Sequence, residues 1–354
     1  MLTIYAGKNA LKQINENGFT PELFSAMYGA SGGPKWFTLF GLDKFIFGEF
    51  FKNTTQTINL VGSSAGAFRF AALSQNDPVT AITALAEIYS ETVYSKNADA
   101  VEVTDKAKAL LDAVFSEKGI EESLNHPVFK PHFIVAKCRG LTSYDHKIPQ
   151  IFGLIGSILL NRVSRDLLAK QYQRFVFHAP NSPLKVSDKY RFNNQYISLN
   201  SVNYKQALLA SGSIPLVMQG VKFIEQAPKG MYRDGGLIDY HFDVELPNNN
   251  GLILYPHFTN QPKPGWFDKT SKRQVSIKHY ENVVMLCPST KFINSLPFKK
   301  IPDRKDFTTM EPQARIAYWQ TVLSHSEQLA ESFAQFVRSP DINTIKPLEK
   351  HIVG

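Results

Sequence analysis

The stretch that most narrows the fold of this chain is Thr57 to Leu73, where an apolar run (Ile58, Leu60, Val61) meets Gly62-Ser63-Ser64-Ala65-Gly66 and passes at once into small and apolar residues. Such a run reads as strand, sharp turn, helix, with Ser64 at the apex. Gly62 and Gly66, two before and two after Ser64, fit a turn packed against neighbouring main chain, where a Cβ has no room. Ser64 then stands at the N-terminus of a helix, whose free N–H groups and dipole favour a developing negative charge. An ordinary glycine-serine turn between a buried strand and a buried helix accounts for the same pattern.

A chain of 354 residues can bury a large core, and a composition 43% hydrophobic and 20% charged is that of a folded globular protein. The two cysteines, Cys138 and Cys287, are too few for a disulfide scaffold or a cysteine-based zinc site, which suits a reducing compartment. No signal-peptide pattern opens the sequence, and the longest apolar stretch, 151–160, is interrupted by Gly153, Gly156 and Ser157. It falls short of the ~20 residues needed to span a bilayer. A soluble, cytoplasmic protein is expected.

The net charge of +8 is concentrated between Lys263 and Lys305, which carries ten Lys or Arg against three acids. That segment is expected to face water or anionic lipid headgroups, and nucleic acid is not the expected partner. A second surface candidate is 148–168, an apolar piece followed by Arg162, Arg165 and Lys170, the composition of an interfacial segment, a lid or a buried helix.

Elsewhere strands and helices alternate. Strands are predicted around Leu23–Tyr28, Phe133–Ala136, Phe175–Phe177, Tyr196–Leu199, 251–255 and 283–286. Helices are predicted at 8–17, behind Pro34, from Asp77-Pro78, after a Thr104 cap, at 203–212, and as one long helix from Pro312 to about Val337. This is an α/β protein: three layers, with a mostly parallel central sheet and helices on both faces. Residues 1–290 are expected to form the main domain, and 291–354 a C-terminal helical extension packed on it.

Gly29 to Trp36 forms a second strand, glycine loop and helix. A P-loop requires Gly before its Lys and Ser or Thr after it, whereas Pro34 and Trp36 flank Lys35. The backbone N–H groups at Ser31-Gly32-Gly33 are instead candidates for stabilising an oxyanion. For the base that Ser64 would need, His241, His257, His279 and His325 are all available in the sequence, none in a distinctive context. Asp234 precedes Gly235-Gly236, which permits close main-chain approach, and burial beside Ser64 would raise its pKa toward that of a useful base.

Four elements in order, the loop Ser31-Gly32-Gly33-Pro34-Lys35-Trp36, the elbow 62–66, Ala210-Ser211-Gly212-Ser213-Ile214-Pro215, and Asp234-Gly235-Gly236, resemble the patatin-like phospholipases over roughly residues 23–255. The resemblance implies a Ser–Asp dyad without histidine: Ser64 as nucleophile, Asp234 as its base, Gly32 and Gly33 as oxyanion donors, and Lys35 at the family's basic loop position. It implies a lipid or other acyl-ester substrate, an acyl-enzyme intermediate, and neither metal nor cofactor. Ser31 and Trp36 replace the first and last glycines of the family loop. Ser31 is harmless if its φ is negative, and bulky Trp36 is expected to narrow the mouth of the site. These departures also motivate the alternative of a lipid-binding protein that keeps the fold with weak or no turnover.

Overall fold

Residues 1–350 are described by a computed structural model. The first half runs β1 (Leu2–Ala6), α1 (Lys8–Asn17), β2 (Phe24–Gly29), α2 (Phe40–Phe45), β3 (Ile58–Ser63), α3 (Ala65–Leu73), α4 (Pro78–Glu91), α5 (Ala100–Val114), α6 (Glu117–Asn125), β4 (Phe129–Cys138) and α7 (Lys147–Val163). The second half runs β5 (Tyr172–His178), β6 (Asn194–Ser198), α8 (Asn203–Gly212), β7 (Met231–Asp234), β8 (Leu252–Pro256), β9 (Val283–Pro288), α9 (Thr290–Ser295), α10 (Asp306–Thr309), α11 (Pro312–His325), α12 (Glu327–Arg338) and β10 (Lys346–Pro347).

The strands form one sheet in the order β10-β1-β9-β8-β2-β3-β4-β5-β6, with β7 paired to β4. The central pairs β8-β2, β2-β3 and β3-β4 are parallel. Helices cover both faces, giving the three-layer α/β/α architecture expected from the alternation of elements. Every residue of β8 and of β9 is buried, which is why their sequences read as unbroken apolar runs.

One strand organises the site. β4 is longer than the Phe133–Ala136 core that the sequence suggested, because β3 pairs it from Phe129 and β5 and β7 pair it on both sides as far as Cys138. Along one edge β3 runs as far as Ser63 opposite Ile134. There β3 ends, and β7 takes over the same edge from the opposite direction, with Asp234 opposite Val135. Consecutive residues of β4 thus hold the residue before Ser64 and Asp234 itself.

Two helix boundaries differ from the sequence reading. α5 starts at Ala100, capped by the Asp99 carboxylate, which accepts the Val101 and Glu102 amides. Thr104 lies inside it, its hydroxyl turned back onto the Ala100 carbonyl at 2.6 Å. Asp99 is the better cap because its charged oxygen accepts two amides at once. The tail holds two helices where one was expected. At the break, the Ser326 hydroxyl donates to the Leu323 carbonyl at 2.6 Å and accepts the Gly41 amide at 2.9 Å. Side-chain bonding back to the helix bends it, and the close pass of α2 fixes the bend. A Cβ on Gly41 would lie 2.5 Å from the Ser326 carbonyl oxygen.

Behind α3, Arg69 and Asp43 form a fully buried ion pair at 2.8 and 2.6 Å. The bidentate geometry locks the helix that begins at Ser64 to α2.

Candidate active site

Ser64 occupies a backbone conformation that side chains rarely adopt, φ 53° and ψ −124°. That turn projects the side chain off the end of β3, with the positive end of α3 beneath it. A Cβ on Gly62 would lie 2.6 Å from the Ala67 nitrogen, and one on Gly66 only 1.8 Å from the Gly29 carbonyl oxygen. Gly29 in turn lies opposite Gly62 in the sheet register. These glycines allow the elbow to sit against the end of β2, and so beside the loop that follows it.

The Ser64 hydroxyl donates to Asp234 Oδ2 at 2.8 Å, across 170 residues of sequence. The other carboxylate oxygen, Oδ1, accepts the Gly236 amide at 2.7 Å. Both residues are only 7% exposed. Burial pushes the Asp234 carboxyl above the usual range, against the opposing pull of the Ser64 and Gly236 hydrogen bonds and the charges of Arg304 and Lys269. A raised pKa suits a carboxylate that must take a proton from a hydroxyl. Gly235 and Gly236 permit this packing: a Cβ on Gly235 would meet the Ile134 carbonyl oxygen at 2.2 Å, and one on Gly236 the Ser31 hydroxyl at 2.7 Å.

The Ala210–Pro215 segment supports both partners. Ser211 Oγ accepts the Ser64 amide at 3.0 Å and donates to the Ile134 carbonyl at 2.8 Å, while the Ser213 carbonyl accepts the Asp234 amide at 3.1 Å. The amide of Ser64 is therefore engaged.

The glycine loop leaves β2 and lines the cavity at Ser31, Gly32 and Gly33. Gly33 has φ 56°. Its amide and that of Gly32 make no hydrogen bond among the described residues. Ser31 keeps an ordinary negative φ, and its hydroxyl bonds the carbonyl and hydroxyl oxygens of Ser63 at 3.3 and 3.1 Å. It therefore stitches the loop to the elbow. Trp36 does not narrow the mouth as the sequence suggested. It is 3% exposed, packs on Phe37 with ring centroids 4.9 Å apart, and is no part of the cavity wall. The 3₁₀ turn over Gly33–Leu39 swings it into the core. Lys35 does line the cavity, in an ion pair with Asp303 that ties the loop to the C-terminal segment.

None of the four histidines bonds Ser64 or Asp234. His241 lines the cavity, but burial drives its pKa well down and its Nδ1 accepts the Lys263 amide at 3.0 Å. His257 is engaged with Thr259, and His279 with Asp243 at 2.6 Å. His325 has no hydrogen-bond partner at its Nδ1 and lies outside the cavity wall. Among the described residues no group of three or more metal-ligating side chains is assembled.

The cavity, of about 680 Å³, also takes in Lys263, Lys269, Arg304 and Lys305 of the basic segment, which no sequence signal places there. Other cations of that segment are paired, Arg273 with Asp268, Lys278 with Glu245 and Lys300 with Asp306. The apolar piece forms α7 and then a 3₁₀ turn, Arg165–Lys170. Gly153 is its contact point, since a Cβ there would lie 2.7 Å from the Thr142 nitrogen. Its opposite face is bare: Ile148, Ile151, Phe152, Ile155, Ile158, Leu159 and Val163 are all exposed. No described helix is long and apolar enough to cross a membrane.

No curated protein and no solved structure matches the chain. The sequence pattern of the patatin-like phospholipases matches residues 59–241, just over half of it, from the elbow strand to past Asp234. The match is narrower than the 23–255 suggested by motifs and begins beyond the glycine loop. With the elbow, the Asp-Gly-Gly turn and the three-layer sheet in place, the chain belongs to the patatin-like phospholipase family, the lipid acyl hydrolases.

Proposed function

We propose that the protein is a serine acyl hydrolase that cleaves lipid esters through Ser64 and Asp234. Asp234 takes the proton of the Ser64 hydroxyl as Oγ attacks the acyl carbonyl carbon, and the amides of Gly32 and Gly33 receive the resulting oxyanion. The intermediate collapses, the alcohol leaves with the proton held by Asp234, and an acyl-enzyme remains. Water, deprotonated by the same carboxylate, attacks the acyl carbon and releases the fatty acid and free Ser64. The observation that carries this reading is the 2.8 Å hydrogen bond from the elbow serine to a buried carboxylate inside a cavity lined by unengaged amides. A fluorophosphonate probe followed by peptide mapping tests it: labelling is expected at Ser64 and is lost in Ser64→Ala together with p-nitrophenyl butyrate turnover. An unlabelled, inactive wild type would instead favour the lipid-binding alternative.

The bare face of α7 supports a lipid surface as the place of work. Phe152 is 61% and Val163 79% exposed, and Lys147 and Arg162 flank the stripe, an arrangement that suits shallow insertion beside anionic headgroups. Gln150 on the same helix accepts the Leu216 amide at 2.6 Å, and Leu216 follows Ile214 and Pro215 on the cavity wall. Lipid leaving the surface there would enter beside Ser64.

A further inference from the structure

Two cations of the cavity wall, Arg304 and Lys269, make no ion pair among the described residues, although Asp234 and Asp303 act on both through space. Lys35 is paired with Asp303, and the Lys263 ammonium donates to the carbonyls of Ser271 and Arg273 at 3.0 and 3.2 Å. Arg304 and Lys269 differ. The Arg304 side chain forms no ion pair or hydrogen bond among the described residues, and its Nη1 is shut off from solvent without an acceptor. It lies over the glycine loop, its Cβ 4.0 Å from where a side chain on Gly33 would begin. Lys269 has no carboxylate partner and rests its ammonium on the Tyr240 ring, 4.2 Å from the centroid.

The two charges oppose each other. Burial, then the nearby Arg304, push the Lys269 pKa down to about 8, with Asp234 pulling the other way. Arg304 is half-buried and Lys269 exposed, and Asp234 and Asp303 offset their charges only through space, so an anion bridging the two cations relieves a repulsion that neither carboxylate contacts directly. The unused guanidinium edge matches the paired oxygens of a phosphate. Neither residue lies within the stretch that matches the family pattern.

We propose that Arg304 and Lys269 form a phosphate subsite, and that the preferred substrate is an acyl ester whose alcohol portion ends in a phosphomonoester. A phosphomonoester carries a charge of about −1.5 to −2 near neutral pH, which balances the two cations. A zwitterionic headgroup would bring its quaternary ammonium toward Lys263 and Lys305 on the same wall, and a neutral glyceride would leave Arg304 unpaired. The substrate class rests on the acyl-ester reading above, whereas the phosphate subsite does not.

The test has two arms. In neutral-detergent micelles, the kcat/KM ratio of lysophosphatidate to lysophosphatidylcholine of the same acyl chain is measured for wild type, Arg304→Gln, Lys269→Gln and the exposed control Lys299→Gln. The wild-type ratio is expected at tenfold or more, reduced at least fivefold in each cavity variant, chiefly through KM, and unchanged in the control. In the second arm, glycerol 3-phosphate and inorganic phosphate are titrated calorimetrically into Ser64→Ala, with and without Arg304→Gln, so that no turnover is required. Binding of glycerol 3-phosphate that exceeds that of inorganic phosphate and weakens at least tenfold on loss of Arg304 supports the proposal. A wild-type ratio near one, a ratio untouched by both cavity variants, or equal binding of the two anions overturns it. Absence of all ester turnover with intact glycerol 3-phosphate binding would sink the hydrolase reading and leave the subsite standing.

Discussion

Replacing Asp234 by Asn tests the dyad with almost no change of shape. The carboxylate receives two donors, the Ser64 hydroxyl at 2.8 Å on Oδ2 and the Gly236 amide at 2.7 Å on Oδ1. Asparagine has one acceptor oxygen. Left on Gly236, it turns the NH₂ toward Ser64, whose Oγ must then accept a hydrogen bond when it should give up a proton. Turned toward Ser64, it sets NH₂ against the Gly236 N–H. Neither orientation provides a base. A positioned general base contributes ~10²–10⁴-fold, so kcat/KM for p-nitrophenyl butyrate is expected to fall by about that factor, roughly 3–5 kcal/mol of barrier.

Stability should move the other way. The folded-state pKa of Asp234 is raised above its unfolded value of ~3.9, with burial as the main cause. Between those two pKa values the folded state binds more protons, so stability falls as pH rises through the window. The penalty is absent below ~pH 3.9 and complete above the folded pKa. Asparagine removes it. The urea midpoint of Asp234→Asn should therefore exceed that of the wild type at pH 7, with the gap closing as pH drops toward the unfolded pKa. Wild-type kcat/KM should fall with acidification through the same raised pKa. Retention of activity within about twofold, or a variant less stable than wild type at pH 7 with an unchanged urea slope, would refute the reasoning.

Further outcomes follow from the same geometry. Gly66→Ala drives a methyl into the Gly29 carbonyl, and strain of this kind costs about 1–3 kcal/mol. Because it also shifts the glycine loop against Ser64, ester turnover should fall by more than the loss of folded protein measured by circular dichroism. Arg69→Leu strands Asp43 without a partner in a fully buried site and should lower unfolding free energy by about 3–5 kcal/mol in urea titrations, with partial recovery in Arg69→Leu/Asp43→Leu. Phe152→Glu and Ile155→Glu on the exposed face of α7 should each weaken sedimentation with anionic vesicles by roughly tenfold, the scale of one large apolar side chain kept out of lipid. Thermal unfolding of these two should stay within about 0.5 kcal/mol of the wild type.

What could be read from the sequence was whatever glycine and its neighbours dictate locally. Gly62, Gly66 and Gly235 each mark a place where main chain approaches main chain, Gly236 one where the Ser31 side chain does, and they bracket Ser64 and follow Asp234. The alternation of apolar runs with amphipathic stretches gave the sheet and its layers for the same reason: the pattern follows from burial on two faces. Features that depend on distant chain were not legible. Trp36 has the same composition-level signal whether it points into a cavity or into the core, and the 3₁₀ turn decides. Ser326 interrupts a helix only because Gly41 passes beside it. Arg304 and Lys269 stood among ten cations of one segment, and no local rule separates those that turn inward from those that Asp268, Glu245 and Asp306 neutralise.

Because Ser63 and Asp234 lie opposite neighbouring residues of β4, the spacing of the reacting pair is tied to a single peptide unit of that strand. Of the long excursion between them, β4 and the Ser211 and Ser213 contacts hold that spacing, while the surface helices α5 and α7 bond neither Ser64 nor Asp234. Such a chain can lengthen, shorten or rewrite its surface helices, and so change which molecules it meets, while the distance over which a proton must move is fixed by bond lengths and angles.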